Sequence, residues 1–244
     1  MVGRVGRGWN KHCAIFKLES QPRPTPTFRF TGWLLGLCLK LGTPRSKPYH
    51  HGDLRRALIA AGIDLLGEGG ATALDLRKVA RKAGVSHAAP YRHFEDKRAL
   101  LAAIAEDGFL RLAEQLRNAV NDAEPDSQVL ALARAYIKFA LAEPALTREM
   151  FSGLSIDRLA YPSLYAASKA AFGILQEAVE HEQATGAFIE DDPAKLVIII
   201  WSMFHGLAVL LLENQIPMIA HDPDALAEAT EQYVTSLYNG LRPR

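Results

Sequence analysis

Residues 83–101 read AGVSHAAPYRHFEDKRALL and contain the strongest local signal in the chain. Gly84 can take the positive φ of a tight turn, Val85 can plug a small core, and Ser86 can cap the helix that follows. Apolar residues at helical spacing mark the helix before this turn: Leu76, Val79, Ala80 and Ala83. Two short helices joined in this way predict a helix-turn-helix.

Two helices precede the turn. Apolar residues recur at helical spacing over residues 54–65 and predict a first helix that stops at Gly67. Thr72 is followed three residues later by Asp75, a pattern that predicts a capping box at the start of the second helix. The turn therefore lies inside a compact helical unit.

Two more helices follow the turn. Ser86 is predicted to cap a short third helix that reaches Phe94, and Asp96 to cap a long fourth helix that extends to about Val120. Pro90 is unusual inside so short a helix, because proline costs little only in the first helical turn. The fourth helix would connect this unit to the rest of the chain.

The rest of the chain also has helical spacing and no useful strand alternation, so the predicted fold is all-α with about nine helices. Five further helix starts are marked by Pro125-Asp126, Pro144, Pro162-Ser163, Asp192-Pro193 and Asp222-Pro223. Residues 196–212 carry no charge, but they include Ser202, His205 and Gly206 and follow an acidic cap. We interpret this segment as a buried helix of a soluble protein and expect no membrane contact.

The formal charge divides the chain into three regions. Residues 1–47 carry nine Lys or Arg and one Glu, without sustained helical or strand periodicity, and are predicted to be a disordered basic extension. Residues 48–110 have a net charge of +1 and form the predicted DNA-binding domain, whereas residues 111–244 have a net charge of −8. An acidic half of this kind argues against a protein that packs DNA without sequence preference.

The cysteines and histidines predict neither a disulfide framework nor a metal site. Cys13 and Cys38 have no ligand partner at metal-binding spacing, and no acidic or Cys partner accompanies His50 and His51. The apolar run at residues 33–39 is short and lacks a small-residue cleavage site, which disfavours secretion. These features predict a cytoplasmic protein.

Residues 50–104, which include the stretch quoted above, resemble the DNA-binding domain of the TetR/AcrR family nearly position for position. In the C-terminal half, Trp201, His205 and Gly206 resemble the tryptophan and His-Gly signature of one subgroup's ligand-binding domain. This resemblance implies an N-terminal three-helix DNA-binding domain and a C-terminal helical domain, residues 111–244, that binds a ligand and dimerises. The implied partners are double-stranded operator DNA and a second copy of the chain.

The resemblance also implies which side chains reach DNA. The residues expected at base edges are Arg77, His87, Ala88, Ala89 and Tyr91. The residues expected at phosphates are Ser86, Arg92, His93 and Lys97. Bidentate contact of arginine with guanine is the commonest specific contact, and alanine methyl groups suit a thymine methyl. Phe94, in contrast, is expected to pack in the core.

In relatives the pocket is lined by the segments that contain Met150, Phe151, Leu154, Phe172, Leu175, Trp201, Phe204, His205 and Leu211. Such an apolar cavity suits a small hydrophobic or amphipathic effector. The last two helices, residues 192–214 and 222–241, are implied to form the dimer bundle. The last helix carries an apolar stripe of Leu226, Tyr233, Leu237 and Leu241, for which packing within one chain is an equal alternative.

Several functional classes stay open at the level of sequence. The prediction is a repressor of a palindromic operator that a small ligand releases, and the alternatives are an activator or a ligand-independent DNA-binding protein. An enzyme fused to a DNA-binding domain is disfavoured, because residues after 111 contain no nucleophile triad, carboxylate pair, glycine-rich phosphate loop or metal-ligand set. No cofactor is indicated.

Overall fold

Helices dominate the part of the chain that the computed structural model describes, residues 51–124, 127–152, 160–220 and 222–241. They are α1 (His51–Ala73), α2 (Leu76–Lys82), α3 (Lys97–Asn121), α4 (Gln128–Ala142), α5 (Pro144–Phe151), α6 (Pro162–Ala184), α7 (Pro193–Leu212), α8 (Pro217–Ala220) and α9 (Pro223–Leu241). No strand occurs among these residues, so the all-α prediction is confirmed. The predicted basic extension, residues 1–47, and Leu154 lie outside the described residues.

A backbone break near the end of α1 separates it from α2. The helical dihedral angles are interrupted at Gly69 and Gly70, two residues beyond the predicted stop at Gly67. Gly70 has a φ of 66° and a ψ of −175°, a conformation that only glycine adopts readily. This break turns the chain from α1 toward α2.

The start of α2 differs from the predicted capping box. The side chain of Asp75 accepts hydrogen bonds from the amides of Arg77 and Lys78, at 2.8 and 2.9 Å. Asp75 is therefore the N-cap residue itself, and the assignment of that role to Thr72 was wrong. The cap shortens α2 to seven residues and places Arg77 in its first turn.

The predicted third helix, residues 86–94, is not an α-helix. It contains turns and a three-residue 3₁₀ turn, Pro90–Arg92. Pro90 has no amide hydrogen, so it cannot donate the α-helical bond to the carbonyl of Ser86. The next bonds instead span three residues, from the amide of Arg92 to the carbonyl of Ala89 at 3.2 Å and from the amide of His93 to the carbonyl of Pro90 at 2.9 Å. The carbonyl of Pro90 also accepts from the amide of Phe94, four residues on, at 2.9 Å. Residues 86–94 are called the recognition turn below.

The long helix α3 is the centre of the fold. Its N-cap is Asp96, as predicted, with the side chain accepting from the amide of Ala99 at 2.8 Å. α3 packs against α1, α4, α5 and α6, and the expected domain boundary at residue 110 falls within it. At the crossing with α1, a Cβ atom on Gly62 would lie only 2.7 Å from Cδ1 of Ile104. The first turns of α3 are thus held closely against α1.

Helices α5, α6, α7 and α9 begin at the predicted Pro and Asp-Pro positions, and α8 is an additional short helix. The predicted start at Pro125-Asp126, before α4, lies outside the described residues. The side chains of Asp192 and Asp222 accept from amides in the first turns of α7 and α9, at 3.0 Å to Ala194 and to Asp224. Proline occupies the first position of α5, α6, α7 and α9. Residue pairs of this kind satisfy the free amides of a helix start at little cost.

The apolar stripe of α9 packs inside its own protomer. Leu237 and Leu241 are buried, and the hydroxyl of Tyr233 donates to the carbonyl of Met203 on α7 at 2.9 Å. This stripe is therefore occupied within a single chain. Packing within one chain, the alternative left open by the sequence, therefore accounts for this stripe.

Four exposed large apolar side chains lie on α7. The exposed side chains lie at helical spacing, on one side of the helix: Ile198, Ile199, Val209 and Leu210, with the exposed residues Ser202 and Gly206 between them. By length and composition α7 could cross a membrane, and 33% of its apolar window is buried inside the protomer. The opposite face packs against α4 and α6, so α7 has one face in the core and one face uncovered. We call the exposed side chains the α7 face.

Candidate DNA interface and ligand cavity

Most of the predicted DNA-contact residues, which lie on α2, in the recognition turn and at the start of α3, are exposed to solvent. Six of the nine candidates are exposed: Arg77, Ser86, His87, Ala88, Tyr91 and Arg92. The other three are half-buried: Ala89, His93 and Lys97. The exposed fraction of Tyr91 is 53%, whereas that of Phe94 is 3%, which confirms Phe94 as a core residue.

The basic side chains around the turn fall into two groups. Lys78 donates to the carbonyl of Ala73 at 2.8 Å, and Lys82 pairs with Glu68 at 2.7 Å. Within the described part of the chain, Arg77 and Arg92 have neither an ion pair nor a side-chain hydrogen bond. Their guanidinium groups are therefore available to a partner such as DNA.

A small apolar cavity lies between α3, α4, α5, α6 and α7. Its open volume is about 20 Å³, enough for one water molecule. The lining residues are Phe109, Leu112, Leu116, Leu132, Tyr136, Phe151, Ala171, Phe172, Leu175, Trp201 and Phe204. We call this the apolar compartment.

The sequence identified part of this lining. Five predicted pocket residues line the apolar compartment: Phe151, Phe172, Leu175, Trp201 and Phe204. His205 lines an adjoining cavity, whereas Met150 and Leu211 are buried and line neither of these two cavities. The residues that α3 and α4 contribute were missed, although their apolar stripes at helical spacing marked them as buried.

Aromatic rings form one continuous cluster around Trp201. The ring of Phe172 lies 4.7 Å from Trp201 and that of Tyr136 lies 4.9 Å away, both nearly edge-on, and His205 stacks on Trp201 at 5.1 Å. Edge-on and offset contacts are the favourable arrangements of aromatic pairs. The indole of Trp201 therefore reports directly on any change in the cavity.

One polar pair borders the cluster. The hydroxyl of Tyr136 lies 2.8 Å from Nδ1 of His205. Burial raises the pKa of Tyr136 and lowers the pKa of His205, because each charged form would lose hydration. Both side chains are thus neutral near pH 7 and offer hydrogen bonds without charge.

Helices α3 and α5 connect the cavity to the DNA-binding domain. Phe109 and Phe151 line the cavity, and their neighbours in sequence, Gly108 and Met150, are in contact. A Cβ atom on Gly108 would lie 2.6 Å from Sδ of Met150, so the two helices touch with no spare room. Since α5 also packs on α1, both helices that line the cavity here also contact α1.

Two protein-family models match this chain. Residues 58–104 match the family model described as bacterial regulatory proteins, tetR family, and residues 129–232 match the model described as tetracyclin repressor-like, C-terminal domain. The chain belongs to the TetR family. Its members are DNA-binding transcriptional regulators, so the recognition turn is part of a TetR-family DNA-binding domain.

Three solved structures have a fold similar to that of this chain. A protein of unknown function from Rhodococcus sp. RHA1 is 36% identical, with a TM-score of 0.68, over 81% of this chain and 100% of that one. FadR from Bacillus halodurans, described as a fatty acid degradation regulator, is 20% identical over 82% and 100%, with a TM-score of 0.61. The TetR-family regulator PfmR from Thermus thermophilus is 20% identical over 77% and 99%, with a TM-score of 0.58. None of the curated proteins compared matches the chain.

Proposed function

We propose that this TetR-family regulator is a cytoplasmic homodimeric repressor that a small hydrophobic or amphipathic effector releases from a palindromic operator. The observation that carries the proposal is the path of α3. This helix begins directly after the recognition turn and, further along, lines the apolar compartment with Phe109, Leu112 and Leu116. A ligand in the cavity therefore acts on the same helix that supports the DNA contacts.

On operator DNA, the recognition turn enters the major groove. Arg77, His87, Ala88, Ala89 and Tyr91 then face base edges, and Ser86, Arg92, His93 and Lys97 face phosphates. The exposure of most of these side chains supports the assignment, as do the unpaired guanidinium groups of Arg77 and Arg92. A 3₁₀ turn is shorter than a recognition helix and reads few base pairs, so useful specificity needs two copies on one operator.

The α7 face pairs the two copies. Its apolar side chains are too exposed for a monomer in water, with exposed fractions of 65% at Ile198 and 49% at Ile199. The small residues Ser202 and Gly206 lie in the middle of the face and let a second helix approach closely. Polar residues of α9 at the rim would complete the interface.

The small volume of the apolar compartment explains how a ligand would release the protein from its operator. An open volume of about 20 Å³ holds no effector, so a ligand has to push the walls apart. Because α3 forms one of those walls and packs on α1, expansion changes the placement of the recognition turns. The ligand then favours the arrangement that does not fit successive major grooves, which is a population shift between two states of the dimer.

Selection of operator sequences from random duplex DNA, with and without a cell metabolite extract, tests the proposed function. The expected product is a palindrome whose half-sites lie about one or two helical turns apart, with less DNA retained when the extract is present. Enrichment of a palindrome that the extract leaves unaffected would favour a ligand-independent regulator. Enrichment of no sequence at all would contradict the proposal.

Substitutions at Arg77 and Lys97 separate base contacts from phosphate contacts. Arg77→Ala should cost about 1 to 3 kcal/mol on the cognate operator and relax preference at one base pair. Lys97→Ala should weaken all sequences alike and lower the salt slope by about one unit. Fluorescence anisotropy on cognate and random duplexes at several salt concentrations measures both effects.

Lys138→Ala is the matched control for this pair, because it removes an exposed charge from α4, far along the chain from the recognition turn. It should leave operator affinity unchanged. Equal losses on cognate and random DNA for Arg77→Ala would refute its role at a base edge.

A further inference from the structure

A second cavity adjoins the apolar compartment. Its open volume is about 180 Å³, and it shares Tyr136 and Phe151 with the apolar compartment. The remaining lining residues are Thr147, Arg148, Ser152, His205, Ala208, Val209, Leu212 and Glu213. We call it the polar compartment, because hydrogen-bonding side chains from α4, α5 and α7 surround it.

Thr147 is the unusual residue of this compartment. Its exposed fraction is 2%, and its Oγ1 atom has no hydrogen-bond partner among the described residues. A threonine within a helix commonly donates its hydroxyl hydrogen to a carbonyl one turn earlier, as Thr230 does to Leu226, but the hydroxyl of Thr147 makes no such bond. A buried hydroxyl without a partner lowers stability. Because Thr147 lines the compartment, a molecule bound there can supply the missing hydrogen-bond partner.

The charged groups of the polar compartment neutralise each other. Arg148 donates from Nε to Glu213 at 2.8 Å and from Nη2 to the carbonyl of Leu212 at 2.7 Å. The arginine charge is thus matched by a carboxylate in the same lining. Together with the neutral pair of Tyr136 and His205, this leaves a compartment rich in hydrogen bonds and without net charge.

We infer that the effector occupies both compartments, with an aromatic or other compact apolar body beside Trp201 and one uncharged hydroxyl, carbonyl or amide group bonded to Thr147. This inference rests on the proposed function and adds the chemistry of the ligand to it. Phe151 and Tyr136 form the boundary between the compartments, and the ligand passes between them. A purely apolar ligand would leave the Thr147 hydroxyl unpaired, and a carboxylate would have to compete with Glu213 for Arg148.

Three probes with the same apolar body test the head group: 4-propylphenol, propylbenzene and 4-propylbenzoate. Binding is followed by Trp201 fluorescence in a full-length chain with Trp9→Phe and Trp33→Phe, and by calorimetry. The phenol should bind about tenfold more tightly than either of the other two, the gain of one hydrogen bond. Thr147→Val should remove that advantage and leave the affinity for propylbenzene unchanged.

The same variant has a readout that needs no ligand. Because valine replaces an unpaired buried hydroxyl by a methyl group, Thr147→Val should raise the Tm of the free protein by about 2–4 °C. Thr230→Val is the matched control, since Thr230 is also buried but its hydroxyl donates to the carbonyl of Leu226 at 2.8 Å. This control should lower the Tm and keep the tenfold preference for the phenol.

The inference is overturned if the three probes bind with equal affinity, if none of them binds, if the benzoate binds most tightly, or if Thr147→Val keeps the preference for the phenol. Operator affinity is measured separately with each bound probe. A probe that shows the head-group preference but leaves operator affinity unchanged supports this site and contradicts the proposed release. Failure of the inferred ligand site can therefore be distinguished from failure of the proposed release from the operator.

Discussion

Ile198→Glu should dissociate the dimer and abolish specific operator binding. The substitution puts one carboxylate from each protomer into an apolar interface, where an unpaired charge is strongly unfavourable. A cost on the order of 3 kcal/mol or more weakens association at least about a hundredfold. Light scattering measures the oligomeric state, and anisotropy on the selected palindrome measures the loss of binding.

Two control variants make this result specific to the α7 face. Leu110→Glu introduces the same charge at a half-exposed apolar residue of α3 and should leave the dimer intact. Leu237→Glu should instead reduce helix content, because Leu237 is buried inside its own protomer. A dimeric Ile198→Glu protein with normal operator affinity would place the interface elsewhere.

Gly108→Val should weaken operator binding in the absence of any ligand. The new side chain collides with Met150, whose Sδ would lie only 2.6 Å from the added Cβ, and it forces α3 and α5 apart. Overpacking of this kind costs about 1–3 kcal/mol, and each kcal/mol lowers Tm by about 2–4 °C in a chain of this size. Because the same helices move when a ligand enters, operator affinity should fall on the order of tenfold.

A compensating second substitution and a control substitution distinguish this coupling from a general loss of stability. Adding Met150→Ala to Gly108→Val restores the space between the helices and should recover most of the operator affinity. Gly173→Val makes the same change in the middle of α6, where a Cβ would meet nothing within 4 Å, and should preserve operator binding. If Gly173→Val weakens operator binding as much as Gly108→Val does, the α3–α5 contact does not couple the cavity to operator binding.

Local signals predicted the helices well where a single side chain sets the boundary. Asp96, Asp192 and Asp222 cap the helices that their positions indicate, because a capping bond depends only on residues within one turn. Two errors also have local causes. Asp75 caps α2 through the amides of Arg77 and Lys78, so the helix begins later than a cap at Thr72 would place it. The missing amide of Pro90 removes one α-helical hydrogen bond from the predicted third helix, which contains a 3₁₀ turn instead.

Three features depend on tertiary packing and could not be predicted from the sequence: the partner of the α9 stripe, the lining of the cavity and the unpaired hydroxyl of Thr147. The stripe of Leu226, Tyr233, Leu237 and Leu241 has the same periodicity whether it packs on its own chain or on a second one. Likewise, the apolar residues of α3 are recognisable as buried, but their position in the cavity wall depends on how five helices meet. The unpaired hydroxyl of Thr147 has no sequence signature, since only the fold shows that it has no partner.

Operator affinity with and without saturating ligand tests the central claim most directly. The measurement uses the wild-type dimer, the selected palindrome and a ligand whose binding saturates the Trp201 signal. A ligand that spreads the walls of the apolar compartment should weaken operator binding by about 5- to 150-fold, the usual range of an allosteric coupling. A saturated Trp201 signal with unchanged operator affinity would contradict the account.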